Sequence, residues 1–187
     1  MILFPYLMGL TYVFQCHKFV NMIVFDSSTL ILLAKTEILD LFISNFKGKI
    51  LIPEKVKWEV IGEGEKEAPV ISRCIEKGKI EVKKVKNLGY GKKIVEDFNI
   101  DIGEAEAIML AIQEGASLIA TGAKNAIRAC KMLGLDFVTA ISILIRTFQK
   151  GFLDQDETLL KLEKLQSIGR YSRPIIEDAV RQIKGGV

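Results

Sequence analysis

Histidine is almost absent: His17 is the only one in 187 residues. A mechanism built on a histidine base would have to use that residue, which lies in an apolar N-terminal stretch. Ser-His-Asp and Cys-His nucleophilic arrangements are therefore poor candidates. Cysteine is sparse as well. Cys16, Cys74 and Cys130 are far apart and form no C-x-x-C pair, which removes the usual zinc spacings. An odd cysteine count without a secretory pattern points to a reducing compartment, and a cytoplasmic location is expected. The apolar run of residues 2–14 falls short of the roughly 20 residues that a membrane span needs, so no membrane association is expected. A net charge of +3 is too small to argue for nucleic acid by itself, though it leaves room for a local basic surface. No G-x-G-x-x-G follows the first strand and no Walker-type loop occurs, which counts against a doubly wound domain holding a small molecule.

What is present is an ordinary globular composition, 49% hydrophobic and 26% charged, in a chain long enough for one sizeable core. Residues 1–21 lack the basic start and small-residue cleavage site of a secretory signal, and Pro5 and Gly9 interrupt any helix there. Met22 is the expected start of the domain, with residues 1–21 as an extension. From Met22 onward, short apolar runs alternate with longer segments of helical period. Strands are expected at residues 23–25, 49–52, 80–85, 117–121 and 136–139. Helices are expected at 27–34, 38–46, 54–61, 68–77, 91–98, 101–114, 124–133 and 140–149, and two more near 155–165 and 174–183. Pro53 suits the first turn of a helix, and Gly62 and Gly64 its end. Gly134 suits a left-handed helix terminus. Residues 89–91 are the loosest point. Short apolar strands separated by helices predict an α/β fold, three layers with a central parallel sheet. The domain is expected over 22–151, with 152–187 as a helical extension of it.

In an open parallel sheet, ligands bind beyond the carboxyl ends of the strands, so acids at those ends are the first candidates. Asp26 directly follows the first strand, in FDSS. It suits either a site or the cap of the next helix, a task that Ser27 or Ser28 could also perform. Glu59 follows the second strand on a helix and suits equally a solvated face. In DIGEAEAIMLA, Asp101 and Glu104 have the spacing of a capping box, which explains both acids without any function. The helix face distinguishes Glu104 from Glu106. Ala107, Ile108 and Ala111 lie three, four and seven residues beyond Glu104, which places it nearer the buried side, whereas Glu106 is expected to face water.

FDSSTLI, IPEKVKWEV, DIGEAEAIMLA and the R-x-x-x-x-LGL ending of the helix after the fourth strand occur in the order and approximate spacing of the PIN domain. The chain resembles that family over about residues 22–151, and within it archaeal and bacterial proteins similar to the VapC toxins. The resemblance implies metal-dependent cleavage of RNA phosphodiester bonds, with Asp26, Glu59 and Glu104 as catalytic and metal-holding acids. Ser28, Glu106, Thr121 and Asn125 would support them. Mg²⁺ or Mn²⁺ suits such a set, because hard cations take carboxylate oxygens and need neither histidine nor cysteine. The resemblance also brings an antitoxin-type protein partner and a homodimer into view.

One departure bears on activity. The family carries one or two aspartates after the fourth strand, where this chain reads ATGAKNAIRAC. Gly122 and Ala123 stand in their place, and no acid lies between Glu114 and Asp136. Asp136 opens the next strand and belongs at the opposite rim. Lys124 is expected to fill the vacated space as a counter-ion. The acidic site is thus incomplete, and the alternative is a catalytically inactive PIN fold that binds RNA or a protein partner. Lys124 and Arg128 on one helix, and Arg170 and Arg173 around Tyr171, are candidate RNA contacts.

Overall fold

Ile23, Val24 and Phe25 are all but inaccessible to solvent, and so are Leu51, Ile52 and Ile119. Strands so apolar on both faces can only lie inside a sheet covered on both sides. The computed structural model describes residues 21–62, 66–86 and 88–185. The expectations for residues 1–20 and for Gly64 lie outside the described residues.

The elements run β1 (Met22–Phe25), α1 (Ser27–Lys35), α2 (Leu39–Asn45), β2 (Lys49–Pro53), α3 (Glu54–Val60), α4 (Ala68–Glu76), β3 (Glu81–Lys83), α5 (Leu88–Phe98), α6 (Ile102–Glu114), β4 (Leu118–Ala120), α7 (Lys124–Met132), β5 (Phe137–Val138), α8 (Ala140–Gln149), α9 (Gln155–Ile168) and α10 (Arg173–Lys184). The strands form one sheet in the order β3-β2-β1-β4-β5, and every pairing is parallel. Alternate residues of each strand enter opposite layers. Ile23, Phe25, Ile50, Ile52, Leu118 and Ala120 face one apolar cluster, and Val24, Leu51 and Ile119 face the other. The first cluster takes its helical side from α1–α4 and α8–α10, and the second from α5–α7. This is the three-layer α/β/α arrangement expected.

Residues from α9 and α10, namely Leu162, Leu165, Ile176, Ala179 and Ile183, belong to the first cluster. Each such side chain contributes about 1.5–3 kcal/mol when fully buried, so the C-terminal helices are part of the core. Lys161 reinforces the contact, donating from Nζ to the Thr36 carbonyl at 3.2 Å.

Three expectations are corrected. α5 begins at Leu88, so residues 89–91 lie within a helix. Gly91 is buried there against Met109 of α6, and a Cβ on it would make an ordinary contact with Met109 Cγ at 3.8 Å. β3 is shorter than the alternating pattern of residues 80–85 suggests, because only Leu51, Ile52 and Pro53 of β2 are available to pair with it. β5 is shorter too, because Thr139 leaves the strand to cap α8, accepting from Ser142 N.

The chain runs outward from β1 through β2 to β3, then crosses back so that β4 lies on the other side of β1. The carboxyl ends of β1 and β4 flank this reversal, and crevices form at such points.

Candidate functional site

Asp26 stands at the reversal. Its backbone N–H donates to the Ala120 carbonyl at 3.0 Å, which ties the end of β1 to the end of β4. Its side chain is 1% exposed. Oδ1 accepts from Thr29 N at 2.7 Å and from Ser28 Oγ at 3.2 Å, so Asp26 itself caps α1 and the serines do not. Oδ2 is buried and has no hydrogen-bond partner. Burial pushes the carboxyl pKa up, and the hydroxyls of Thr121, Thr29 and Ser28 with the Thr29 N–H offset part of that shift. Thr121 Oγ1 and Thr29 Oγ1 are near enough for this, yet neither makes a well-formed hydrogen bond. Three buried oxygens with unused lone pairs therefore collect at the end of β1. An unpaired buried polar group is destabilising by about 1–3 kcal/mol.

α6 precedes β4 and runs antiparallel to it, so its first turn returns to the same rim. The capping box is present: Glu104 N donates to Asp101 Oδ1 at 2.7 Å, and Asp101 N donates to Glu104 Oε2 at 3.2 Å. Glu104 nevertheless does more than cap. Its carboxyl pKa is raised to about 7, first by burial and then by the charges of Asp101, Asp26 and Glu59, against the Asp101 N–H. Acids from β1, α3 and α6, far apart in sequence, thus share one electrostatic field.

Glu59 reaches this field through a glycine. A Cβ on Gly103 would lie 2.7 Å from Glu59 Oε2 and 2.9 Å from Oε1, so the carboxylate occupies the space a side chain there would fill. Lys55, one turn earlier on α3, brings Nζ to 3.6 Å from Glu59 Oε1. Glu106 does not face water as expected. It is half-buried, and burial raises its carboxyl pKa while the Lys55 N–H and ammonium oppose the shift. The counter-ion among the acids is accordingly Lys55, and among the described residues Lys124 forms no ion pair.

The remaining candidates separate. The Asn125 side chain donates from Nδ2 to the Asn99 carbonyl at 2.9 Å, which ties α7 to the turn before α6. Gly122 is exposed, and a Cβ there meets nothing within 4 Å. Arg128 is exposed over the Phe98 ring at 6.0 Å. Arg170 is exposed, and Arg173 pairs with Glu177 at 2.7 Å. Gly103 and Lys55 were not among the sequence candidates, although the glycine in the first turn of an acid-bearing helix was a readable signal. Tyr171 was noted only beside its arginines. Its ring lies over Gly169, and its hydroxyl pKa is pushed up to about 12 by burial and then by Asp26. Cys130, buried on α7, is pushed up to about 12 by the same two influences.

The donor set fits a hard divalent cation: it consists of oxygens, it carries negative charge, and Asp26 Oδ2 has no other partner. Among the described residues no three acid, cysteine or histidine side chains converge closely enough to hold one ion. Glu104 turns back to the Asp101 N–H and Glu59 pairs with Lys55. Among the described residues no helix is long and apolar enough to cross a membrane.

Over residues 22–185 the sequence matches the family described as PIN domain, which extends the resemblance through α9 and α10. No curated protein matches the chain.

Proposed function

The chain belongs to the PIN domain family, and from that premise we propose that it is a metal-dependent endoribonuclease with an incomplete acidic site, hydrolysing RNA phosphodiester bonds. The observation that carries this reading is the buried, unpartnered Oδ2 of Asp26 at the sheet reversal, together with the Glu59 carboxylate packed over Gly103 next to Glu104. Those three residues would hold Mg²⁺ or Mn²⁺, which when bound supplies an activated water and offsets charge developing on the phosphate. Asp26 contributes an oxygen shielded from solvent. Glu104 keeps a proton up to about pH 7, so near neutrality it can be either donor or acceptor. Lys55 beside Glu59 limits the negative charge that an incoming phosphate meets. Thr121 supplies a neutral oxygen where Gly122 and Ala123 supply none. Lys124, Arg128, Arg170 and Arg173 are the proposed contacts to the RNA backbone.

Purified protein is expected to cleave single-stranded RNA weakly with Mn²⁺ and not at all in chelator, and Asp26→Asn to abolish cleavage. Undiminished cleavage by that variant would assign the activity to a contaminant. A second reading is favoured by one observation, the space at Gly122 with no acid to fill it. In that reading the fold is catalytically inactive and binds RNA, an antitoxin-type protein or a second copy of itself. Calorimetry separates the two. Micromolar Mn²⁺ binding supports the nuclease, and its absence supports the binding fold.

A further inference from the structure

One exposed aromatic beside the acids has no part in the site as described. Trp58 is the only tryptophan in the chain and is 62% exposed. It occupies α3 next to Glu59, whose carboxylate fills the space over Gly103. Lys55 lies three residues before Trp58 and four before Glu59, so it neighbours both on the helix surface. On the other side of α3, Val56 and Val60 are fully buried. The helix cannot turn without exposing them, which keeps the Trp58 side of α3 outward. Lys57 Nζ stands 5.2 Å from the centre of the ring. Ile102, 57% exposed, opens α6 beside Gly103.

An indole with the Lys57 ammonium beside its ring matches a ligand that alternates flat apolar faces with anions. An unpaired nucleic acid strand has that character, because base faces are open and each is followed by a phosphate. Paired bases hide those faces in their own stack and show only edges. A purely apolar partner would leave Lys57 without complement. We propose that Trp58 stacks on an unpaired base of single-stranded RNA held along α3 next to Glu59, with Lys57 beside a neighbouring phosphate. This rests on the ribonuclease reading and narrows it to single-stranded substrates with an unpaired base at Trp58.

Because Trp58 is the sole tryptophan, its emission reports the contact directly. The experiment titrates the Asp26→Asn chain, which leaves the strand intact, with a labelled single-stranded oligoribonucleotide, a duplex of the same sequence and an abasic version. Emission and label anisotropy are read together, and Mn²⁺-dependent cleavage is followed separately in the chain with Asp26 present. The expected result is saturable quenching by the single strand, little by the duplex and none by the abasic strand. Trp58→Ala should weaken binding roughly ten-fold, and Trp58→Phe less, as loss of one stacking contact predicts. Binding seen by anisotropy without quenching, and unchanged in Trp58→Ala, overturns the proposal, and continued cleavage would then leave the nuclease reading standing. Quenching without Mn²⁺-dependent cleavage retains the stacking site and removes the nuclease. A dimer in sedimentation that Trp58→Ala separates, with no response to RNA, overturns the proposal in favour of a second copy on this face.

Discussion

The ends of β1 and β4 lie side by side, joined by the Asp26 N–H and the Ala120 carbonyl, and they have opposite character. β1 ends in a buried carboxylate with one oxygen bonded and one unused. β4 ends in a buried threonine with an unpaired hydroxyl, and the chain then passes through Gly122, which has open space around it. On the β1 side, function and folding share the same atoms, since Asp26 caps a helix as well as facing the site. On the β4 side nothing structural depends on the residue that would complete the site. An acid can therefore be absent at position 122 without penalty to the fold, whereas position 26 needs a side-chain oxygen to accept from the Thr29 N–H.

The largest expected effect tests the β1 side. Asp26→Asn keeps an oxygen for the Thr29 N–H but removes the charge. Cleavage should fall by roughly a hundred-fold or more, the upper end of what even outer-sphere changes cause, while the melting temperature stays near that of the parent. Asp26→Ala should lose cleavage equally and also stability, by about 1–3 kcal/mol, because the Thr29 N–H is left buried and unpaired. Equal melting temperatures for the two variants would contradict the division of labour between the oxygens. Gly103→Ala comes next. Its methyl group displaces the Glu59 carboxylate, a flexible group that can move, so the fold should survive while Mn²⁺ affinity by calorimetry falls roughly ten-fold.

The β4 side should respond in the other direction. Gly122→Asp places a carboxylate into free space, and both Mn²⁺ affinity and cleavage should rise several-fold. No change in either would mean that the space does not open onto the acids. Ala123→Asp has a separate readout. Position 123 is the N-cap of α7 and has no capping side chain, so this change should raise stability by about 1 kcal/mol in thermal melts.

The smallest effect is in pH dependence. Folding raises the Glu104 pKa from 4.5 to about 7. Between those values the folded state keeps a proton that the unfolded chain has released. The resulting stability is full below pH 4.5 and is lost as pH rises through about 7. Melts without metal should fall across that window. Since Asp26 and Glu106 are raised as well, they act in the same sense. Glu104→Gln should flatten the slope, and Mn²⁺ should reverse it by favouring the ionised acids.

The strands were legible because their apolar runs are short and bounded by turn residues, and their burial on both faces follows from composition alone. The start of α5 was hidden because Gly89 and Gly91 read as loop, and only the packing of α5 on α6 overrides that preference. The acids were legible as residues at strand and helix ends, but their meeting was not. Glu104 satisfies a local capping pattern completely, so nothing in its neighbourhood in sequence signals a second role. Lys55 was missed because a lysine four residues from a glutamate on a helix reads as a surface pair, and only the packing of α3 on α6 gives it company among acids. Tyr171 feels the charge of Asp26 although the two are far apart in sequence, a separation over which sequence pattern carries no register.

The division of the Asp26 carboxylate has a consequence for reading related chains. A residue that a helix needs will persist after the chemistry it once served has gone. Aspartate at the corresponding position is thus weak testimony about activity in any relative. The informative position is the one with no other occupation, the exposed turn after the fourth strand, where an acid has no reason to stay except the reaction.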